Sequence, residues 1–569
     1  MSLNWILKNH KIILFFVLSV FSFLVGIGIL ISSKIKYIYE ISGFYFIFCA
    51  FFIWLIVIIP RTIDFYKIKA FFFKHKFAVF ISAVVIACTL KFSPPDFRVL
   101  ADETNLVGMS MAMYDHKAFY NPTQGQFYYQ SFWEISHAWD KRPLLYSFLI
   151  YLTHTFIGYS AYNGFVVNAL AGFFSLFIFY LLIDRWFNKI YGLCGIFLLA
   201  AFPTFIIWVT SSGFEVVNLL FSLIVFLFLD DYLTSKDTLS IEKLMLTLVL
   251  LAQCRYESVL FTITIVSIIL IAEKKEILEK ISYRLLCVPV LYIPIVWQRL
   301  KTIGNHQIYD GSPPFSVKYF FKHTLLAWDF FSGKLEQYGT IPLLFFLAIG
   351  GALGALYYCF FYYKNISKKE IYLSCACVCS FIFLCIIIFG YYWGDITRQY
   401  SIRFGVVFFP LIVFLALFFL KNIIKLPEKF NLELIVCCIA LVCFYWPVAG
   451  KNQAVKELVL QRVYAHTLNF LNSAYPDKNL IIISDRPGLY TVHRWGAVDF
   501  EYANANSGVL LNQLKNSLYD EIIVIQYVEY GTNKPNSETV LKEDYKIESV
   551  DETQTKGIEY LKISKVIVN

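Results

Sequence analysis

The chain has 569 residues, of which 58% are hydrophobic and only 16% charged, and its mean hydropathy is +0.62. Soluble domains average roughly 45–50% apolar and about 25% charged residues, so these values exclude an ordinary soluble domain and point to a membrane protein. The net charge of +9 sits mostly in loops that flank apolar blocks. It is therefore a topological signal and poor evidence for nucleic-acid binding, and no nucleic-acid partner is expected.

The apolar residues come in blocks nearly free of charge: Ile12–Ile31, Ile41–Ile59, Tyr162–Leu182, Ile341–Tyr363, Ile371–Gly390, Phe404–Leu420 and Leu432–Val448. A helix needs about 20 apolar residues to cross the hydrocarbon layer, and several blocks reach that length. Shorter ones, Phe77–Leu90 and Val216–Leu229, span only with snorkelling lysines or protein around them. Together they predict about 13 spans. Lys8 and Lys11 precede the first block, but no small-residue cleavage site follows it, so it reads as a retained span rather than a secretory signal.

Lysine and arginine crowd four loops: Arg61 to Lys76, Lys274 to Arg284, Lys364 to Lys369, and Lys421 to Lys429. With alternating spans, all four share one side with the amino terminus, which the positive-inside rule makes cytoplasmic. The segments Lys91–Tyr159 and Arg299–Tyr338 and the carboxy-terminal region then lie outside. Richness in Phe, Ile, Lys and Asn suggests an AT-rich bacterial genome, so the expected location is a bacterial cytoplasmic membrane. All 13 cysteines lie in or beside apolar blocks, so no disulfide framework is expected in the tail.

From about Lys451 the pattern changes. Helix-like Ala454–Ala474 is followed by an apolar run, Asn479–Asp485, a helical segment, Val509–Leu518, and strand patterns at Glu521–Tyr527, Tyr545–Val550 and Glu559–Val568. Strand, helix, strand with continuous β-branched runs predicts a small external α/β domain. Ser484-Asp485-Arg486-Pro487-Gly488 sits where such domains place ligands. It lacks the glycine spacing of a nucleotide loop and reads as a structural loop. The expected fold is thus a polytopic α-helical membrane protein with a small carboxy-terminal α/β domain. Its divisions fall at 1–76 (two extra amino-terminal spans), 77–450 (a transmembrane module with an external loop over 92–159) and 451–569.

Chemistry-bearing residues interrupt this pattern. Asp102 and Glu103 emerge just past the third span as candidates for a general base or metal ligands; the plainer reading is an N-cap and a dipole-favoured acid on a helix running to Tyr114. An aromatic stretch with charges, Phe127–Pro143, contains Lys141 and Arg142. The next segment, Leu144–Ile157, is short and carries His154, which fits a helix lying at the interface. Glu215 stands at an outer helix boundary, Arg255 and Glu257 interrupt Leu244–Ile271, and Arg398 and Arg403 open the span ending near Leu420. Ionisable groups at such depth are costly unless they face a polar cavity or one another, so a functional site is the default reading. For Arg255 and Glu257 the alternative is an ion pair at a helix hairpin.

In this order and at these positions the residues resemble the GT-C superfamily of polyprenyl-phosphate-sugar transferases, which includes the protein O-mannosyltransferases and the aminoarabinose transferase of lipid A. The resemblance runs from about Phe77 to Leu270 and returns at Arg403–Pro410. It implies an inverting glycosyltransferase with a lipid-linked sugar donor and an acceptor hydroxyl on a lipid, glycan or protein. It implies Asp102 as catalytic base with Glu103 beside it, Glu215 as a second acid, and Lys141, Arg142, Arg255 and Arg403 as donor-phosphate ligands. Glu257 and Arg398 are secondary candidates. No cofactor is required on this reading, because arginines can neutralise the leaving phosphate; in branches that use a divalent ion, Asp102, Glu103 and Glu215 would be its ligands. The lipid A branch often has arginine two positions after the Asp-Glu pair, where this chain has Asn105. A lipid-substrate transporter and a polysaccharide polymerase or ligase are the alternatives.

Overall fold

The computed structural model describes residues 3–29, 31, 34–59, 65–128, 131–273, 276–303, 313–334, 340–361, 366–398, 400–451, 459–529, 535, 539–554 and 559–567. Arg61, Lys274, Lys275, Lys364 and the start of the helix expected from Ala454 lie outside the described residues. The chain divides into two compact units, neither of them continuous in sequence. The first comprises Met1–Asp96, Lys141–Phe148 and Phe165–Gln453, the second Phe97–Asp140, Leu149–Gly164 and Ala454–Asn569. The expected division at 451 therefore misses part of the second unit.

The first unit is helical and membrane-spanning. Among the described residues nine helices are long and apolar enough to cross a membrane, or ten if a bent pair counts as one span, against the 13 or so expected. All seven of the charge-poor blocks are among them, as is Glu215–Ser235. Lys76–Phe92 forms a shorter helix of 17 residues. Leu244–Ile271 is not one element: the Thr238–Ala252 helix ends at Gln253, and Val259–Glu273 begins after a single turn. The bent pair, Lys189–Ala201 and Pro203–Val209, turns by 78°. Pro203 has no amide to continue the first helix and forces Phe202 into an extended conformation (φ −68°, ψ 117°). That bend ends the apolar rod early and leads the chain into the loop Thr210–Gly213. Asn168, fully buried, donates from its side-chain amide to the carbonyls of Ser211 and Gly213, each at 2.7 Å. These carbonyls have no helical partner, so the amide removes a penalty of about 1–3 kcal/mol per unsatisfied group.

The second unit is built on a mixed sheet. Its strands, in chain order, are β1 (Asn121–Tyr128), β2 (Ser131–Ala138), β3 (Leu480–Ile483), β4 (Gly496–Val498), β5 (Glu521–Glu529), β6 (Lys546–Gln554) and β7 (Glu559–Ile567). They lie in the order β2-β1-β4-β3-β5-β7-β6, with β3 parallel to both β4 and β5 and the other pairings antiparallel. All four residues of β3 are buried, as expected of a parallel strand covered on both faces. Ile481, Ile483, Val498, Leu510, Ile522 and Val524 form the centre of the core.

The hairpin β1–β2 runs from Asn121 into the aromatic stretch that begins at Phe127, and it gave no strand signal because apolar and polar residues there do not alternate. It joins the sheet through Gly125 opposite Ala497. A Cβ at 125 would overlap the Phe132 ring, so only glycine keeps β1 and β2 paired there.

Arg494 ties these discontinuous pieces together. It adopts the left-handed conformation (φ 64°) and stacks its guanidinium on Tyr159 at 4.1 Å and Phe127 at 5.3 Å while pairing with Asp115 at 2.9 Å. Tyr159 also donates to the carbonyl of Val492 at 2.8 Å. His154 is fully buried between Ser110 Oγ (3.0 Å) and Asn163 Nδ2 (2.8 Å). The 13 cysteines are all free.

Two measurements test this assembly. Arg494→Ala removes a cation from two aromatic faces and leaves Asp115 unpaired, costing about 1–3 kcal/mol; hydrogen exchange in β1 should quicken while exchange in the Glu215–Ser235 helix stays unchanged. Burial holds the imidazole of His493, which meets the Tyr464 hydroxyl at 2.7 Å, down at about 4. Between that value and the ordinary 6.5 the unfolded chain takes up a proton that the folded unit does not. Its contribution to stability is thus present above about pH 6.5 and lost as pH falls towards 4. The thermal midpoint should drop over this window, and His493→Gln should flatten the drop.

Candidate active site

Glu215 is the first residue of the Glu215–Ser235 helix and is 1% exposed. Its carboxylate sits at the positive end of the helix, which favours the anion. The packing is close: a Cβ at Gly213 would overlap the carboxylate and push it aside. Oε1 lies 3.4 Å from Arg255 Nη1 and 3.4 Å from Arg403 Nε. Oε2 is buried and makes no hydrogen bond among the described residues.

Arg255 occupies the break between the Thr238–Ala252 and Val259–Glu273 helices, where an extended backbone (φ −148°, ψ 140°) turns its side chain inward. The guanidinium lies between two rings, 4.9 Å from Phe214 and 4.8 Å from Phe404, and Nε donates to Glu257 Oε1. The ion pair at a helix hairpin is therefore present, as part of a larger cluster. Arg403 comes from the 3₁₀ segment Ile402–Phe408 that opens the next span, 5.6 Å from the same Phe404 ring. Asn218, one turn into the Glu215 helix, accepts from Ser258 Oγ at 2.6 Å and fixes the hairpin against that helix. Glu215, Asn218, Arg255, Glu257 and Arg403 line one small recess with Leu384 and Val407.

Arg142 stands before the Leu144–Ile157 helix, with its carbonyl accepting from Gln298. The first turn of that helix is tied to both loops that carry the cluster. Leu145 N donates to Gln253 O at 3.0 Å, and the Tyr146 hydroxyl reaches Ser212 Oγ at 3.5 Å. The two arginines and two glutamates of the recess cancel in formal charge. Lys141 is exposed and Arg142 half-buried. Arg398 stands apart from the recess, half-exposed and paired with Asp395 at 3.2 Å.

Next to the charged recess lies an apolar groove of about 740 Å³, counted out to its open side. It is walled by Leu219, Leu223, Phe381, Pro410 and Phe414, and Val407 lines both spaces. Trp186 marks the far end, where a polar cavity with Arg185, Asp230 and Lys369 begins. The arrangement can hold an anionic head at the arginines and a hydrocarbon tail along the groove.

In the second unit, Asp102 and Glu103 occupy the first turn of the Leu100–His116 helix. The helix begins at Leu100, so Asp102 lies inside it and Val99 is the cap residue. Glu103 is fully buried, and its Oε1 accepts from the backbone amides of Arg98 (3.1 Å) and Val99 (2.9 Å). It closes the helix start on itself, while Asp102 is only partly buried. Among the described residues no group of three or more His, Cys, Asp or Glu side chains is placed to hold a metal ion. The Glu103 oxygen on two amides and the Glu215 oxygen between two guanidiniums show no fit to such an ion.

Asn168 and Phe214 also serve the site, though neither is among the candidate residues that the sequence suggests. Asn168 is, with Asn163, one of two amides in an apolar span, a signal of the same kind as the buried charges. Phe214 carries none, since aromatics abound.

Removing one partner of a buried ion pair costs about 3–5 kcal/mol, whereas removing both costs less than the sum. Glu215→Gln and Arg255→Gln should each lower the thermal midpoint of the protein in nanodiscs, and the double variant should fall well short of additivity. Arg398→Gln should leave the midpoint near the starting value.

A profile of the family described as dolichyl-phosphate-mannose-protein mannosyltransferase matches residues 141–297, the stretch from Lys141 through Glu215, Arg255 and Glu257. No curated protein matches the chain in sequence. Among solved structures, ArnT from Cupriavidus metallidurans bound to undecaprenyl phosphate superposes with a TM-score of 0.52 at 11% identity, covering 86% of this chain and 98% of that one. The apo state of the same protein gives 0.51 at 10% identity, with coverage of 87% and 98%. An Archaeoglobus fulgidus oligosaccharyltransferase tethered to an acceptor peptide reaches 0.44 at 11% identity, covering 83% and 75%. Over most of both chains, the protein therefore shares the fold of the ArnT structures.

Proposed function

We propose that the protein is an inverting glycosyltransferase that moves a sugar from a polyprenyl-phosphate donor to an acceptor hydroxyl at the outer face of a bacterial cytoplasmic membrane. The observation that carries this reading is the buried Arg255–Glu215–Arg403 cluster beside an apolar groove that shares Val407 with it. A polyprenyl phosphate needs both features: cations for its head and a dry groove for its tail. The undecaprenyl phosphate of the ArnT structure is a ligand of this class. The outer-face location is supported by the lysine and arginine bias of the loops.

On this reading Asp102 accepts the proton of the acceptor hydroxyl as its oxygen attacks the anomeric carbon. The bond from that carbon to the phosphate oxygen breaks, and the polyprenyl phosphate leaves with the electron pair. Of the acidic pair, Asp102 suits the base because Glu103 Oε1 is engaged by two backbone amides; Glu103 holds the start of the helix. Arg255 and Arg403, with Lys141 and Arg142, stabilise the charge that develops on the phosphate. Glu215 spaces the two guanidiniums and holds them apart from solvent. General-base catalysis contributes about 10²–10⁴-fold, so positioning and phosphate stabilisation supply the rest. The acceptor is a lipid, a glycan or a protein.

The test is transfer of radiolabelled sugar from polyprenyl-phosphate donors by protein in nanodiscs. Asp102→Asn should lower kcat by about 10²–10⁴-fold, and an unchanged rate would remove Asp102 from the mechanism. Arg403→Lys keeps the charge but loses the planar fork, and should raise KM for the donor by about tenfold. Counterflow of a lipid-linked sugar across liposomes with no glycosidic bond formed would favour a carrier.

A further inference from the structure

The sheet of the second unit reverses its winding at β3. The chain passes from β3 to β4 on one side, then crosses through the helices Phe500–Ala505 and Ser507–Lys515 to β5 on the other. Loops leaving the carboxyl end of β3 and its neighbours therefore diverge, and a crevice opens between them. Strand lengths deepen it. β3 ends at Ile483 opposite Val524, whereas β5 continues to Glu529, with Tyr527 opposite Leu561 of β7. The β5–β7 pair thus forms a ledge beyond the end of β3. The helix Val459–Ala474 supplies the facing side with Val463 and Tyr464.

The recess between them measures about 270 Å³, counted out to its open mouth. Its floor is the loop Ser484–Arg486. Ser484 is 2% exposed; its Oγ donates to Asp485 Oδ1 and accepts from the Arg486 amide, both at 3.2 Å. This fixes the two charged residues side by side at the mouth, paired at 3.4 Å and both solvent-exposed. Tyr464, Tyr490 and Tyr527 line the recess around them. Tyr464 and Tyr490 belong to the packed wall, the Tyr464 hydroxyl donating to the Leu489 carbonyl at 3.0 Å.

We infer that this recess is a binding site for a hydroxyl-rich carbohydrate. A sugar hydroxyl both donates and accepts, so vicinal hydroxyls satisfy a carboxylate and a guanidinium held side by side, while the C–H face of the ring packs on tyrosine. Other ligand classes fit less well. The carboxylate of Asp485 repels a phosphate, the loop lacks the glycines that let a backbone cradle one, and the following Gly488–Thr491 helix is only four residues long. An apolar ligand would gain nothing from the two charges at its rim. The inference stands on the second unit alone and does not rest on transfer at Glu215, Arg255 and Arg403.

Saturation-transfer NMR tests it on the full chain in nanodiscs prepared without glycoside detergents and without any donor. The probes are mannose, galactose, glucose, N-acetylglucosamine and their disaccharides. Binding of at least one sugar is expected, with a Kd on the order of 1 mM. Asp485→Asn and Arg486→Gln should each weaken it by about tenfold without moving the thermal midpoint, because both side chains are exposed. Three results overturn the inference: no sugar in the panel receives saturation, the two variants bind as the parent does, or inorganic phosphate displaces the bound sugar.

Discussion

A carboxylate held between two arginines inside a helical membrane unit constrains everything around it. None of these three side chains can be buried alone, because an unpaired ion in a low-dielectric interior costs several kcal/mol. Each must reach the others, and each arises at a point where a helix is interrupted. Glu215 follows the bend at Pro203, Arg255 fills the gap between two helices, and Arg403 opens a span through a 3₁₀ turn. The interruptions release backbone groups that need partners, and the Asn168 amide and the Leu145–Gln253 bond provide some of them. Irregular backbone, buried charge and polar lining thus support one another.

The cluster balances its own charge, and that balance has a chemical consequence. A neutral constellation does not attract an anion by net field; on the proposed reading, a donor phosphate competes with Glu215 for the guanidiniums or draws on Lys141 and Arg142. Phe214 and Phe404 stack against the arginines and keep them in place. A rigid, desolvated pair of guanidiniums reorganises little when charge develops, which is the property that electrostatic stabilisation of a leaving group demands.

The second unit meets a different constraint. Its sheet is assembled from strands nearly 350 residues apart in the chain, a separation that must be repaid by specific contacts rather than local preference. Gly125 permits the hairpin to close, and Arg494 fastens three segments by stacking and an ion pair. The same sheet has a winding reversal at β3, and side chains at that point are free to serve binding because the surrounding strands already secure the fold.

Much of this was legible in the sequence. Blocks of about 20 apolar residues have essentially one structural solution in a bilayer, so seven spans could be placed within a few residues. The β-branched runs from Leu480 and Glu521 fixed two parallel strands for a similar reason: continuous apolar runs suit strands covered on both faces. Glu215, Arg255 and Arg403 stood out because charge is scarce in such segments. The sequence could not reveal that Phe97–Asp140 folds with the carboxy-terminal region, since β1 and β2 carry no alternation and the pairing of Gly125 with Ala497 is invisible to any local window. The resemblance already implied Asp102 rather than Glu103 as the base, but only the folded helix start turns Glu103 onto two amides. Composition and hydropathy determine which segments are buried and in what medium, since transfer free energy is a property of each residue. Which buried groups meet is decided by tertiary structure, because it depends on where each helix breaks and what its neighbours leave unsatisfied.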